Sequence, residues 1–221
     1  MRRAVAIVEH AIGVGAEAAP SPAVSPPGWW SAYRADFARY REMRPGTTTL
    51  VLVLTEQGLW ALLQYRAAAG IYRSRLFGPL KRAVLLGAGI AQKLIEMTTG
   101  ISLPYRARIG PGLYIGHFGN IIVHEDAVIG DTCNISQGVT VGTSGRGSRR
   151  GAPVIGNRVY VATNAVVAGR IEVGDDSVVG ANSLVTRDVP AGSTVLGVPA
   201  LIVGHRGSAA YLVPHPGPIQ H

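Results

Sequence analysis

Residues 108–142 read RIGPGLYIGHFGNIIVHEDAVIGDTCNISQGVTVG, and this stretch decides the fold. An aliphatic residue recurs at every sixth position, and a small or polar residue usually follows it. An α-helix, with about 3.6 residues per turn, and a strand, with its alternating faces, do not give a period of six. A short strand plus a turn does, so three repeats complete one triangular coil. The repeated positions are Ile109, Ile115, Ile121, Ile129, Ile135, Val141, Ile155, Val161, Val167, Val173, Val179 and Val185.

Stacked coils of this kind should share one continuous apolar core, because the aliphatic residue of each repeat points into the coil. The sequence therefore predicts a mainly β chain with a parallel β-helix over residues 101–205. The repeat is interrupted between Gly142 and Pro153, where GTSGRGSRRGAP has the composition of a loop. We expect this loop to project from an edge of the prism.

The rest of the chain has other patterns. Residues 1–28 include a stretch rich in Gly, Ala, Ser and Pro and are predicted to form a flexible leader. Residues 29–100 carry apolar residues three and four apart, which predicts a small α-helical N-terminal domain. Its first helix should end at Pro45–Gly46. Residues 206–221 are predicted to be a C-terminal tail.

The composition limits the class of protein. The net charge of +8 would suit nucleic acid, an acidic membrane, a phosphorylated cofactor or an anionic polymer. Cys133 is the single cysteine, so an internal disulfide is excluded, and no Cys/His cluster has zinc-site spacing. The apolar run 50–54 is too short to span a bilayer, and Glu9 interrupts the first apolar stretch before signal-peptide length. We therefore expect a cytoplasmic protein without a metal site.

Three segments of the repeat region resemble the hexapeptide-repeat acyltransferases, and most closely the serine O-acetyltransferases and their relatives in exopolysaccharide gene clusters. In the helical region, DFARYREMRPG and GLWALLQYR are similar to the N-terminal domain of serine acetyltransferases. The resemblance implies a left-handed β-helix preceded by a small helical segment, and acetyl-CoA as co-substrate. It also implies a homotrimer or a dimer of trimers, with active sites between adjacent prisms. The three segments are ARIGPGLYIGHFGNIIV (107–123), AVIGDTCNISQGVTVGTSGRG (127–147) and NSLVTRDVPAGSTVLGVPALIVG (182–204).

His117 is the predicted general base. Acyl transfer to a hydroxyl requires a group that removes the proton during attack on the thioester, and histidine has a suitable pKa. In IGHFGN the histidine closely follows an inward-pointing position, which puts it on a turn of the coil. The resemblance implies that this is the catalytic histidine; without it, a lone turn histidine would more often have no role.

The other candidate site residues form two groups. Candidates for binding the acceptor or orienting the base are Asn120, His124, Glu125, Arg149 and Arg150. The loop arginines could pair with cofactor phosphates or an anionic acceptor, or form a solvated basic loop. Small residues on the later coils match the place where the family lays the pantetheine arm, although coil packing would also favour them. The cofactor-binding candidates are Gly142, Thr143, Ala162, Gly180, Ala181 and Arg187.

The expected acceptor pocket departs from the serine acetyltransferase pattern. A zwitterionic amino acid needs acidic partners for its ammonium group. Three family acidic residues are replaced by Arg44, Gly116 and Ser102, and a family histidine is replaced by Ala152. We therefore expect the acceptor to be a hydroxyl of a sugar or polysaccharide precursor, with L-serine as the alternative. With the orienting Asp missing, a backbone carbonyl or Glu125 is left to orient the histidine.

The sequence also bears on other functional classes and on one partner. RSRLFGPLKR, residues 73–82, would suit a non-enzymatic module on an acidic membrane surface, and weak membrane contact could accompany an enzyme. No motif supports nucleic-acid binding. A β-helical carbonic anhydrase would need three converging histidines, and only His117 and His124 lie on the coils. Relatives that bind cysteine synthase end in isoleucine, whereas this chain ends Ile219-Gln220-His221, so that partner is not expected.

Overall fold

A computed structural model describes residues 28–147 and 150–213. The predicted leader, Arg149 and the tail beyond residue 213 lie outside the described residues. The helical segment contains α1 (Trp29–Met43), α2 (Thr49–Thr55), α3 (Gln57–Arg73) and α4 (Gly78–Thr99). Helix α1 ends just before Pro45–Gly46, as predicted. Helix α4 ends at Gly100, whose φ of 67° is the left-handed conformation that favours glycine at a helix end.

Short strands follow α4 and form three sheets, which are the faces of a triangular prism. The first sheet has the order β1-β4-β7-β10-β13, the second β11-β8-β5-β2, and the third β15-β14-β12-β9-β6-β3. All pairs are parallel except β14 with β15, which closes the prism as a hairpin. The predicted left-handed parallel β-helix is confirmed. The strands are β1 Ile101–Ser102, β2 Arg108–Ile109, β3 Tyr114–Ile115, β4 Ile121–Val123, β5 Val128–Ile129, β6 Asn134–Ile135, β7 Thr140–Gly142, β8 Val154–Ile155, β9 Tyr160–Val161, β10 Val166–Ala168, β11 Glu172–Val173, β12 Val178–Val179, β13 Leu184–Val185, β14 Thr194–Gly197 and β15 Ala200–Gly204.

The repeated aliphatic residues form the core of the prism. All twelve predicted positions are at most 6% exposed. One register assignment needs correction, because Val123 and not Ile121 is the partner of Val141 across the first sheet. Ile121 is buried as well, but it pairs with Ile101. The turn before β4 is therefore two residues longer than the repeat predicts.

The interruption of the repeat is a loop at a prism edge. It leaves the coils after Gly142 and returns at Val154, and an antiparallel bridge joins Ser144 to Gly151. The residues after β15 turn back onto the protein: the Tyr211 ring stacks on Tyr160 at 4.8 Å. The first part of the predicted tail therefore packs against the coils.

Buried polar groups fix the helical segment to the first coil. The Asp36 carboxylate accepts hydrogen bonds from Arg66 Nε at 2.8 Å and from the backbone N–H of Gly112 at 2.8 Å. Arg66 also donates to the carbonyl of Gly110 at 2.7 Å. The Tyr40 hydroxyl donates to the carbonyl of Ile115 at 3.0 Å, directly before the turn that carries His117. These hydrogen bonds pair backbone N–H and C=O groups at the edge of the first coil, which has no preceding coil to pair with.

Candidate active site

His117 lies on the turn between β3 and β4, residues 116–120. Its side chain is exposed, because the turn extends beyond the regular coil. Gly119 has a φ of 105° and Asn120 a φ of 55°, so the chain reverses direction through two left-handed residues. This geometry directs the backbone away from the apolar core and leaves the imidazole accessible to a substrate.

The turn is held from both sides by backbone contacts. The Ile121 N–H donates to the carbonyl of Gly100 at 2.9 Å, and the Gly138 N–H donates to the carbonyl of Gly119 at 2.9 Å. A Cβ atom on Gly100 would lie 2.8 Å from Asn120 N and 3.1 Å from Gly119 Cα. The end of α4 and the next coil therefore clamp the turn that carries His117.

The turns of successive coils continue the edge on which His117 lies. Asn164 N–H donates to the carbonyl of Gln137 at 3.0 Å, and Asn182 N–H donates to the carbonyl of Thr163 at 2.9 Å. The structure thus brings five of the candidates to one edge of the prism. They are His117, Asn120, Ala162, Gly180 and Ala181.

Coil packing accounts for one of these small residues. A Cβ atom on Gly180 would lie 2.5 Å from Leu196 Cδ1 and 3.1 Å from the carbonyl oxygen of Val195. Ala181, by contrast, is exposed at the turn. Gly180 is therefore required by the fold, whereas the small size of Ala181 leaves an open surface.

The remaining described candidates lie along a different edge. His124 and Glu125 follow β4, Gly142 and Thr143 follow the core position of β7, Arg150 lies in the loop, and Arg187 follows β13. Each of these strands runs from the His117 edge to this second edge, a span of about 10 Å for three residues. Within one chain the two groups of candidates therefore lie on different edges of the prism.

Local contacts already occupy two of the candidates on the second edge. Glu125 pairs with Arg106 at 3.1 Å, and both side chains are about half exposed. His124 Nδ1 accepts a hydrogen bond from the backbone N–H of Asp126 at 3.2 Å. Glu125 is thus separated from His117 of its own chain by the length of β4. The proposed roles of His124 and Glu125 at the active site stay predictions.

A carboxylate that the sequence reasoning missed lies beside Ser102. Glu96, in the last turn of α4, accepts a hydrogen bond from Ser102 Oγ at 2.7 Å and one from Gln92 Nε2 at 2.9 Å. Burial raises the pKa of Glu96, but hydrogen bonds from Lys93, Ser102 and Gln92 outweigh it, so the pKa lies below its ordinary value. Glu96 is the only acidic residue between Glu56 and Glu125, which was a signal available in the sequence.

Arg44 also has an acidic neighbour. Its Nε lies 3.2 Å from Glu56 Oε1, and the Glu56 side chain is 14% exposed. At two positions where the sequence suggested a lost negative charge, a carboxylate from another element is therefore adjacent. Counting acids by position alone misses carboxylates that other elements bring to these positions.

Residues 28–147 and 150–213 contain no group of three or more His, Cys, Asp or Glu side chains that could hold a metal ion. No helix within these ranges has the length and apolar character needed to cross a membrane.

Comparisons with known proteins all point to the same family. The model of the bacterial transferase hexapeptide (six repeats) matches residues 152–187. A serine acetyltransferase of Synechococcus elongatus is 35% identical over 174 residues, covering 78% of this chain and 68% of the relative. The serine acetyltransferase of Brucella abortus in complex with coenzyme A superposes with a TM-score of 0.71 at 31% identity, covering 82% of this chain and 70% of the other. That of Neisseria gonorrhoeae in complex with serine gives a TM-score of 0.68 at 30% identity, with 80% and 69% covered.

These similarities overturn one expectation from the sequence. The preference for a sugar or polysaccharide acceptor is wrong, because the similar proteins are serine acetyltransferases and one of them holds serine. The expectation rested on missing acidic residues, and Glu96 and Glu56 bring carboxylates next to two of those positions. The resemblance itself, the fold and the class of chemistry are confirmed. The chain belongs to the serine acetyltransferase family and is an acetyl-CoA-dependent acyltransferase of the hexapeptide-repeat type.

Proposed function

We propose that the protein transfers the acetyl group of acetyl-CoA to the hydroxyl of L-serine, with His117 as the general base. The observation that carries the proposal is the clamped turn that exposes His117 at a prism edge. The serine acetyltransferase relatives support the acceptor. The products are O-acetylserine and free CoA.

In the proposed reaction the His117 imidazole accepts the serine hydroxyl proton as the oxygen attacks the thioester carbonyl. A tetrahedral intermediate forms and then collapses, the carbon–sulfur bond breaks, and the imidazolium returns the proton to the leaving sulfur. The negative oxygen of the intermediate needs a preorganised donor, for which we propose a backbone N–H near Gly142.

We assign Glu96 to the serine ammonium group. Its carboxylate is ionised near neutral pH, its pKa lies below the ordinary value because of the hydrogen bonds it accepts, and Ser102 and Gln92 hold its orientation. Ser102 pairs with Ile122 of β4, the strand that leaves the His117 turn, so Glu96 lies on the same part of the prism surface as the base. An ammonium group that leaves water requires such a partner.

We propose a homotrimer whose active sites lie between prisms. The two edges that carry the candidates are separated within one chain, and a neighbouring copy would bring Gly142, Thr143, Arg150 and Arg187 of its second edge to His117. Arg150 and Arg187 would then bind the phosphates of CoA. The cytoplasmic location and the domain boundaries at residues 28, 100 and 205 stay predictions.

The test is CoA release from acetyl-CoA with purified protein and L-serine, using glycine as the acceptor that lacks a hydroxyl. Removal of a general base lowers turnover by about 100-fold or more, so His117→Ala should lose this much. His205→Ala is the matched control, an exposed histidine directly after β15, and should stay within a few-fold of wild type. Full activity of His117→Ala, or equal release with glycine, would contradict the proposal.

A further inference from the structure

Helix α4 has an apolar outer face that no element of the described chain covers. Leu86 is 71% exposed, Ile90 60% and Met97 82%. The opposite side packs against α3, where Gln64 Nε2 donates to the carbonyl of Ala88 at 3.1 Å. Outer-face residues recur at intervals of three and four, which places them on one side of the helix. They are Leu80, Ala83, Val84, Leu86, Gly87, Ile90, Leu94 and Met97.

Basic side chains border this outer face. Arg82 and Lys93 are three turns apart on the same flank, and Arg73 and Arg75 precede the helix; Arg73, Arg75, Arg82 and Lys93 are all exposed. Glu96 is the only acidic residue of the helix; its Oε1 accepts a hydrogen bond from Ser102, and its Oε2 pairs with Lys93. Among the described residues no acidic side chain pairs with Arg75 or Arg82, so the start of α4 combines apolar side chains with positive charges that lack an acidic partner.

We propose that the outer face of α4 docks on the surface of an anionic lipid bilayer. An amphipathic helix with basic residues beside its apolar face lies in the plane of the interface, with the apolar side chains among the acyl chains. The 22 residues of α4 give a contact about 33 Å long. Phe77 and Leu76, at the start of α4 and 74% and 42% exposed, extend the apolar surface at this end.

Charge favours a bilayer over a second copy of the chain as the occupant. In a two-fold pair of α4 helices, the same face meets itself. Such a pair would supply no acidic partner for Arg75 or Arg82, because Glu96 is the only acidic residue of α4 and already pairs with Lys93. Anionic headgroups match the basic border instead, and each Lys or Arg near such a surface raises affinity roughly fivefold.

Docking would orient the active site without taking part in its chemistry. Gly100, directly after α4, clamps the His117 turn through its contacts with Gly119 and Asn120. The outer-face residues point away from this clamp, so substitutions there should leave acetyl transfer unchanged. The inference does not depend on the identity of the acceptor.

The experiment is co-sedimentation of the full-length chain with vesicles of phosphatidylcholine alone and of phosphatidylcholine mixed with phosphatidylserine. We expect at least tenfold tighter binding to the mixed vesicles, weakened by salt. Leu86→Gln/Ile90→Gln should lower the affinity at least tenfold. Arg75→Gln/Arg82→Gln should lower it about 25-fold, from two charges at roughly fivefold each.

The matched control is Leu201→Gln/Val203→Gln, which changes two equally exposed apolar residues on β15 (63% and 61%) and should leave vesicle binding unchanged. Thermal melts and acetyl transfer confirm that each variant is folded. Absence of binding to the mixed vesicles would overturn the proposal. So would a change of oligomeric mass in Leu86→Gln/Ile90→Gln with vesicle binding intact, which would make the outer face an interface between copies of the chain.

Discussion

Replacing Gly100 by alanine should damage catalysis more than stability. Gly100 has a φ of 67°, and a non-glycine residue in this conformation costs about 1 to 2 kcal/mol of folding free energy. The added Cβ would also lie 2.8 Å from Asn120 N, where ordinary contact begins near 3.4 Å. Because the obstructing atoms belong to the backbone of the His117 turn, that turn must move by about 0.6 Å.

The expected loss of kcat/KM follows from this displacement. A misplacement of 1 Å at a catalytic group can cost about 100-fold, so we expect Gly100→Ala to lose roughly tenfold in acetyl transfer. Gly46→Ala is the matched control, because its φ is 83° but nothing lies within 4 Å of the new Cβ. Both variants should lose stability in urea titrations, Gly100→Ala somewhat more because of the added backbone contact, and only Gly100→Ala should lose activity. Equal activity of the two variants would refute the clamp.

Three further substitutions or probes test other parts of the molecule. Glu96→Gln should lower kcat/KM for L-serine by about 10- to 100-fold, mainly through KM, since a charged hydrogen bond is lost; Glu42→Gln, whose carboxylate pairs with Arg39 on α1, should change it little. Asp36→Asn removes the charged partner of the Arg66 side chain, which is 4% exposed, and should lower the free energy of unfolding in urea by about 3 to 5 kcal/mol. Asp176→Asn breaks an exposed pair with Arg158 and should lower it by less than about 1 kcal/mol. Burial raises the pKa of the Cys133 thiol to about 12. Iodoacetamide at pH 8 should therefore label Cys133 in the unfolded chain and not in the native protein. Rapid labelling of the native protein would contradict the buried position.

The fold was predictable because one physical constraint repeats along the chain. Each coil places one aliphatic side chain per face in a narrow core, so the period is visible without tertiary information. The error at Ile121 arose where the turn carrying His117 inserts two residues between Ile115 and Val123. Ile121 and Val123 are both buried, and hydrophobicity alone does not distinguish them.

The candidate site was less accessible to sequence reasoning. His117 follows from the repeat and the resemblance, because its turn is local in sequence. The hydrogen bond between Glu96 and Ser102 depends on how the end of α4 meets β1. The ion pair between Arg44 and Glu56 depends on how the segment after α1 packs against the start of α3. No spacing rule reports such contacts, which is why the two carboxylates were missed.

The central claim is tested most directly by identifying the product made from isotopically labelled acetyl-CoA and L-serine. Nuclear magnetic resonance of the reaction mixture should detect O-acetylserine with the wild-type protein and only trace amounts with His117→Ala at equal concentration. Absence of O-acetylserine with folded wild-type protein, or its formation at the wild-type rate by His117→Ala, would contradict the account.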